Sequence, residues 1–180
     1  MGRHYYYLIA SLPTLEFGSK PLISVEEFLQ RAGGQLPGTD LAVIESIFSG
    51  DHLRPEEPAG ILKRWAEFNR GVSNEIAWSR AGELNKDPQK YLRGERTTEP
   101  YLVDVIAKAA EAADPLAAEK IIDRARWQYL DELGHGHYFE FENVVIYALK
   151  LRMMDRYRVI DSPKGGEIFR EYAKIKILLS

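Results

Sequence analysis

Two histidines separated by one glycine, His135 and His137, stand beside Glu140 and Glu142. Imidazole and carboxylate are ordinary ligands for zinc or iron, so this stretch carries the one metal-like combination in the chain. Its spacing argues for something simpler. Two histidines flanking a glycine belong to a loop, and they lack the i, i+4 spacing that puts a ligand pair on one helix face. The simpler reading is a helix C-terminus closed by Gly134 and Gly136, with the histidines on its exposed turn. The expectation is therefore no metal, no cofactor and no catalytic residue. A metal-dependent hydrolase using His135 and His137 stands as the alternative.

Other groups with chemical potential read as structural. Glu26-Glu27, Glu56-Glu57 and Asp131-Glu132 are paired carboxylates. Acid–base work needs one member of a pair in an apolar pocket, whereas these sit at helix ends or on wet faces. Lys164-Gly165-Gly166 has the lysine before the glycines, the reverse of a phosphate-binding loop, and there is no GxSxG elbow. The basic run Lys150, Arg152, Arg156, Arg158 and Lys164 is more informative. Arg152 and Arg156 are four residues apart and share a helix face. They read either as a solvated face or as a docking surface for an acidic partner, whose encounter they would steer. Trp78 and Trp127 fall off the main apolar stripes of their helices, which leaves two readings: packing between helices, or anchoring a partner. The candidate partner-binding set is Arg152, Arg156, Arg158, Lys164, Trp78 and Trp127.

Composition narrows the class. The 180 residues are 45% hydrophobic and 28% charged, with a net charge of −3. That suits a globular core and gives no basic excess for nucleic acid. With no cysteine, disulfides and thiolate chemistry are excluded. No stretch approaches the roughly 18 to 20 apolar residues that span a bilayer. A cytoplasmic protein is expected, reaching a membrane only through a complex.

The elements that must position these residues are helices. Asp114 caps a helix whose first turn accepts Pro115. Ala118, Ile121, Ile122, Ala125, Tyr129 and Leu133 then recur at helical spacing. A second apolar helix runs from near Phe139 to about Arg158, and the short link between the two predicts an antiparallel hairpin. Ser24 and Glu27 form a capping box. Thr39 is expected to cap a helix carrying Leu41, Ile44 and Ile47. Ala59 to about Ala81 is helical, with Gly71 a point for a break. Glu167 to Leu179 predicts a last helix. Tyr5 to Ala10 suits a strand or a helix face. The reading is mostly α, about seven helices with one short N-terminal strand as an option. It takes 1–180 as a single helical domain, with two halves at 1–93 and 98–180 and a hinge at 85–97.

The Asp114 helix pair resembles one repeat of the C-type (also called d-type) stalk subunit of the V/A-type rotary ATPases. Asp114, Pro115, Leu116, Glu119 and Asp123 match in the first helix, and Ile146, Leu149, Leu151 and Arg156 in the second. The chain departs at Tyr147, where that family has an acid, and at Lys150, where it has asparagine. YYYLIASLP, DPQKYLRGE and the Asp114 helix also resemble the DUF2764 family of bacterial proteins found alongside V-type ATPase subunits. The resemblance implies a non-catalytic central-stalk adaptor that couples the membrane ring to the rotor shaft during ion or proton transport. Its implied partners are the stalk and membrane-ring subunits, with no nucleic acid and no direct membrane insertion. A free-standing helical interaction domain is the other non-enzymatic reading.

Overall fold

The computed structural model describes residues 5–50, 60–96 and 99–160, with side chains to Tyr157. These residues form seven α-helices and one short 3-10 helix, with no strand among them. In chain order they are α1 (Tyr6–Ser11), α2 (Val25–Gly33), α3 (Gly38–Ser49), α4 (Ile61–Glu83), a 3-10 turn (Pro88–Tyr91), α5 (Pro100–Ala110), α6 (Pro115–Gly134) and α7 (Phe141–Ile160). The N-terminal segment is thus a helix and not a strand. The predicted Glu167 helix and Lys164 lie outside the described residues.

The chain divides into two compact units, Met1–Gly50 with Phe139–Ser180, and Asp51–Tyr138. This departs from the expected halves at 1–93 and 98–180. The segment 85–97 is no boundary, because its described part is pinned inside the second unit. Arg93 N–H donates to Asn74 Oδ1 at 2.9 Å, and the Asn74 amide donates back to Arg93 O at 3.3 Å. Arg96 grips Glu75 with both Nε (2.8 Å) and Nη2 (2.7 Å).

In the first unit α7 is the centre. Val144, Val145 and Ile146 are consecutive and all buried, as are Ala148, Leu149, Leu151, Met153 and Met154. Consecutive buried positions exceed one helical stripe, as expected for a helix enclosed on most sides. α3 and α2 pack on it. Phe28, with no exposed surface, stacks on Tyr147 at 5.4 Å and meets Phe48 edge-on at 5.9 Å. The α2 start is capped as expected: Ser24 Oγ accepts from Glu27 N–H at 3.1 Å. The reciprocal half of the box is absent, since Glu27 pairs with Arg31 at 2.6 Å instead. Thr39 is no cap. α3 begins a residue earlier, at Gly38 after Pro37, without a side-chain cap.

In the second unit α5 packs on α6 and α4, and α6 also touches α4. α4 runs unbroken through Gly71 for 23 residues. A Cβ at Gly71 would stand 3.4 Å from Leu102 Cδ1, so the glycine lets α5 approach closely and causes no break. Ile61, Leu62, Trp65, Phe68 and Val72 are buried as the periodicity predicts. Asp114 caps α6, its Oδ1 accepting from Ala117 N–H at 2.8 Å. The two helices of the predicted hairpin each pack within their own unit: α6 buries its stripe on α5, and α7 buries its own on α3 and α2.

Candidate functional site

The basic face lies on the second half of α7. Arg156 is exposed and Arg152 partly buried. A Cβ placed on Gly50 would sit 3.6 Å from Arg152 Nη2. Gly50 closes α3 in the left-handed conformation, φ 92°, so the Arg152 guanidinium lies beside a helix C-terminus. The unsatisfied carbonyls there carry partial negative charge and favour a cation. Burial, and then the like charge of Arg156, hold Arg152 below the usual arginine range. The guanidinium of Arg156 lies 5.5 Å from the Tyr157 ring centroid. Arg152 is thus partly a structural residue, and Arg156 is the more outward of the two. Arg158 lies in α7, and its side chain lies outside the described set.

The two tryptophans proposed as anchors sit differently. Trp127 is only 8% exposed. Trp78 is half-buried, with the Arg96 guanidinium 4.1 Å from its ring centroid. Arg96 in turn is held by Glu75, which is 4% exposed. The hydrogen bond to Glu75 is the main cause raising the Arg96 pKa. This Glu75–Arg96–Trp78 clamp was missed at the sequence level. Glu75 looks like any polar helix residue until the chain folds back twenty-one positions later.

A second polar centre also escaped the sequence. Arg126 Nη1 donates to Asp123 Oδ1 at 2.8 Å and to Glu119 Oε1 at 3.3 Å, and Arg126 Nε donates to Asn69 Oδ1 at 2.9 Å. Asp123 is 1% exposed. The guanidinium meets the buried carboxylate at close range, and the cluster ties α6 to α4. Beside it Tyr129 stacks on Phe68 at 4.0 Å, and burial raises its phenol pKa.

The histidine stretch is a local turn leading into α7. His137, Glu140 and Glu142 offer ligand atoms within 4.8 Å of one another, all partly exposed, and His135 is not among them. Both glutamates lie at the α7 N-terminus, where negative charge offsets the helix dipole without any ion.

One cleft opens in the first unit, about 240 Å3, between residues 9–15 and α7. Ile9, Leu12, Pro13, Thr14 and Leu15 line one side, and Asn143, Ile146, Tyr147 and Lys150 the other. The Tyr147 hydroxyl donates to Pro13 O at 2.9 Å. Its pKa is pushed up to about 12, chiefly by burial and partly offset by Arg31, so the phenol stays a donor. Tyr147 and Lys150, the two departures from the rotary-ATPase pattern, both line this cleft.

Residues 98–176 match the family model described as "Protein of unknown function (DUF2764)". The match spans α5, α6 and α7 and supports the DUF2764 family over that stretch. It carries no link to the stalk subunit of the rotary ATPases. No curated protein and no solved structure matches the chain.

Proposed function

We propose that this chain is a non-catalytic helical interaction module that docks on an acidic partner through the outer end of α7. The single observation that carries this is the Arg152–Arg156 pair. Arg152 is seated against the end of α3, and Arg156 is presented outward one turn later on a helix whose other faces are buried. A charge on such a helix is held in a fixed direction, which is what orientation by electrostatic complementarity requires. On the resemblance of the Asp114 and Phe139 helices, the partner is a V/A-type rotary ATPase. The chain then serves as an adaptor between the stalk and membrane-ring subunits, at the membrane only through that complex, and torque passes through packed helices.

Arg156→Glu tests this reading. The fold should be kept, because exposed charges contribute little to stability. Co-purification with stalk and ring subunits should weaken, most at low salt, where screening is least. Unchanged assembly of the variant would rule out this face. A second reading, a metal-dependent hydrolase, is favoured by one observation: the convergence of His137, Glu140 and Glu142. Elemental analysis of untagged protein decides it, since one tightly held zinc, iron or manganese per chain would favour the enzyme.

A further inference from the structure

Residues 88–96 form a strap that closes over α4 with little apolar support. No residue of the 3-10 turn is buried, and Tyr91, Arg93, Gly94 and Glu95 are exposed. Two polar grips hold the strap instead. Buried Asn74 uses both ends of its amide on the main chain of Arg93. Its Oδ1 accepts from the Arg93 N–H at 2.9 Å, and its Nδ2 donates to the Arg93 carbonyl at 3.3 Å. Buried Glu75 accepts from Arg96 Nε and Nη2 on separate oxygens, at 2.8 and 2.7 Å. The Arg96 guanidinium lies 4.1 Å from the Trp78 ring centroid. Between the two grips the chain turns at Gly94, φ 73°, a conformation that glycine reaches without steric cost. Asn74 and Glu75 stand four and three residues before Trp78, so all three gather on one side of α4.

Both grips are of a kind that another chain can supply. Asn74 reads a peptide unit and no side chain, and the Arg93 side chain is itself exposed. Glu75 reads a guanidinium through two parallel bonds, which lysine does not match. Trp78 adds a cation–π contact. We propose that the side of α4 formed by Asn74, Glu75 and Trp78 is a peptide-binding site occupied by the chain's own strap. Its exchangeable occupant is a segment of a partner protein in which a glycine is followed two residues later by an arginine. The strap is then an intramolecular competitor, kept at high effective concentration by its tether. A segment with few buried apolar contacts belongs to the part of a fold that opens first. The site lies within the second unit and stands independently of the Arg156 face.

Native-state hydrogen exchange of the full chain reads the opening of the strap. The Arg93 amide should exchange through a local opening whose rate barely changes in low urea, while the amide of buried Val72 should follow global unfolding. The site is read with a synthetic peptide of residues 86–96, which contains no tryptophan, so emission reports the chain alone. In the Arg96→Ala chain, whose strap has lost its guanidinium, the peptide should reverse the red shift of Trp78. The same peptide carrying Arg96→Ala should bind about ten- to hundred-fold more weakly, the range for hydrogen bonds to a charged group. A peptide carrying Gly94→Val should also bind more weakly. The unaltered chain should bind the parent peptide less tightly than the variant does, because its own strap competes. Arg96→Gln takes the place of Arg96→Ala if that chain does not fold. Exchange of the Arg93 amide only with global unfolding, no reversal of the emission shift, or equal binding of the arginine and alanine peptides overturns the proposal and leaves the strap a structural clasp. Unchanged assembly of Arg156→Glu would remove the α7 docking face without moving any of these readouts.

Discussion

Among the described residues of the first unit, every fully enclosed side chain is aliphatic or aromatic, with Leu8, Phe28, Ile44, Ile47, Val144 and Leu151 among those with no exposed surface. The three buried polar residues among the described residues, Asn74, Glu75 and Asp123, belong to the second unit. One unit is held by shape and the other by shape plus paired charge. The difference teaches how each should fail. An apolar core fails by degrees as contacts are removed, because its forces are short-ranged and non-directional. A buried ion pair fails abruptly when one partner goes, because the remaining charge is left without water or counter-ion. The two units can be followed apart in one sample. The chain has three tryptophans, Trp65, Trp78 and Trp127, and all lie in the second unit. Tryptophan emission therefore reports that unit, while far-UV circular dichroism reports both.

The largest effect should come from Arg96→Ala. It strands Glu75, 4% exposed, and should cost about 3 to 5 kcal/mol. The fluorescence midpoint in urea should fall, and Trp78 emission should shift to the red as its ring is uncovered. The double variant Glu75→Leu/Arg96→Met should recover most of the loss. A single variant as stable as the double would show that the clamp is no buried ion pair.

Leu151→Ala tests the other unit. Leu151 has no exposed surface, and its truncation should cost about 2 to 5 kcal/mol. The dichroism midpoint should fall while the fluorescence midpoint holds. Equal falls in both signals would erase the contrast and show that the units unfold together.

Alkaline pH should sharpen the comparison at Tyr147. Its folded pKa of about 12 lies above the ordinary 10.0, so the folded state keeps the proton where the unfolded state has lost it. The resulting stability is complete below pH 10 and is lost as pH rises towards 12. Tyr129 and Tyr101 are also raised, mainly by burial, so the second unit weakens in the same direction. Tyr147→Phe should cost about 1 kcal/mol at neutral pH from the lost hydrogen bond. It should flatten the alkaline fall in dichroism without altering that in fluorescence. Identical alkaline curves for variant and parent would sink the assignment.

Asp114→Ala removes the α6 cap and should cost about 1 kcal/mol, visible in the fluorescence midpoint. Arg156→Glu should have the smallest effect on stability, within about 0.5 kcal/mol. Its consequence should appear only in assembly.

Local chemistry was legible in the sequence wherever the interaction partner lies within a few residues. Asp114 announces a cap because its acceptor reaches the N–H three residues on, and Ser24 does the same for Glu27. The α4 stripe from Ile61 to Val72 is legible because helical period alone aligns those side chains. A mostly helical chain with an apolar α7 follows from the same short-range rules, which left the Tyr5 to Ala10 segment open between strand and helix. Arg152 and Arg156 share a face by spacing alone, but the sequence could not show that one of them is committed to the end of α3.

Only the tertiary structure decided which faces meet. Gly71 looks like a break until Leu102 is seen to occupy the space that a side chain would need. Segment 85–97 has the composition of a hinge, yet Asn74 and Glu75 hold it to α4. The Arg126 cluster joins residues fifty-seven positions apart, and no periodicity connects them. Helix formation is set by hydrogen bonds about four residues long, so the sequence determines it locally. Pairing of helices is a competition among all the apolar and charged surfaces of the chain, and its outcome exists only once the chain has folded.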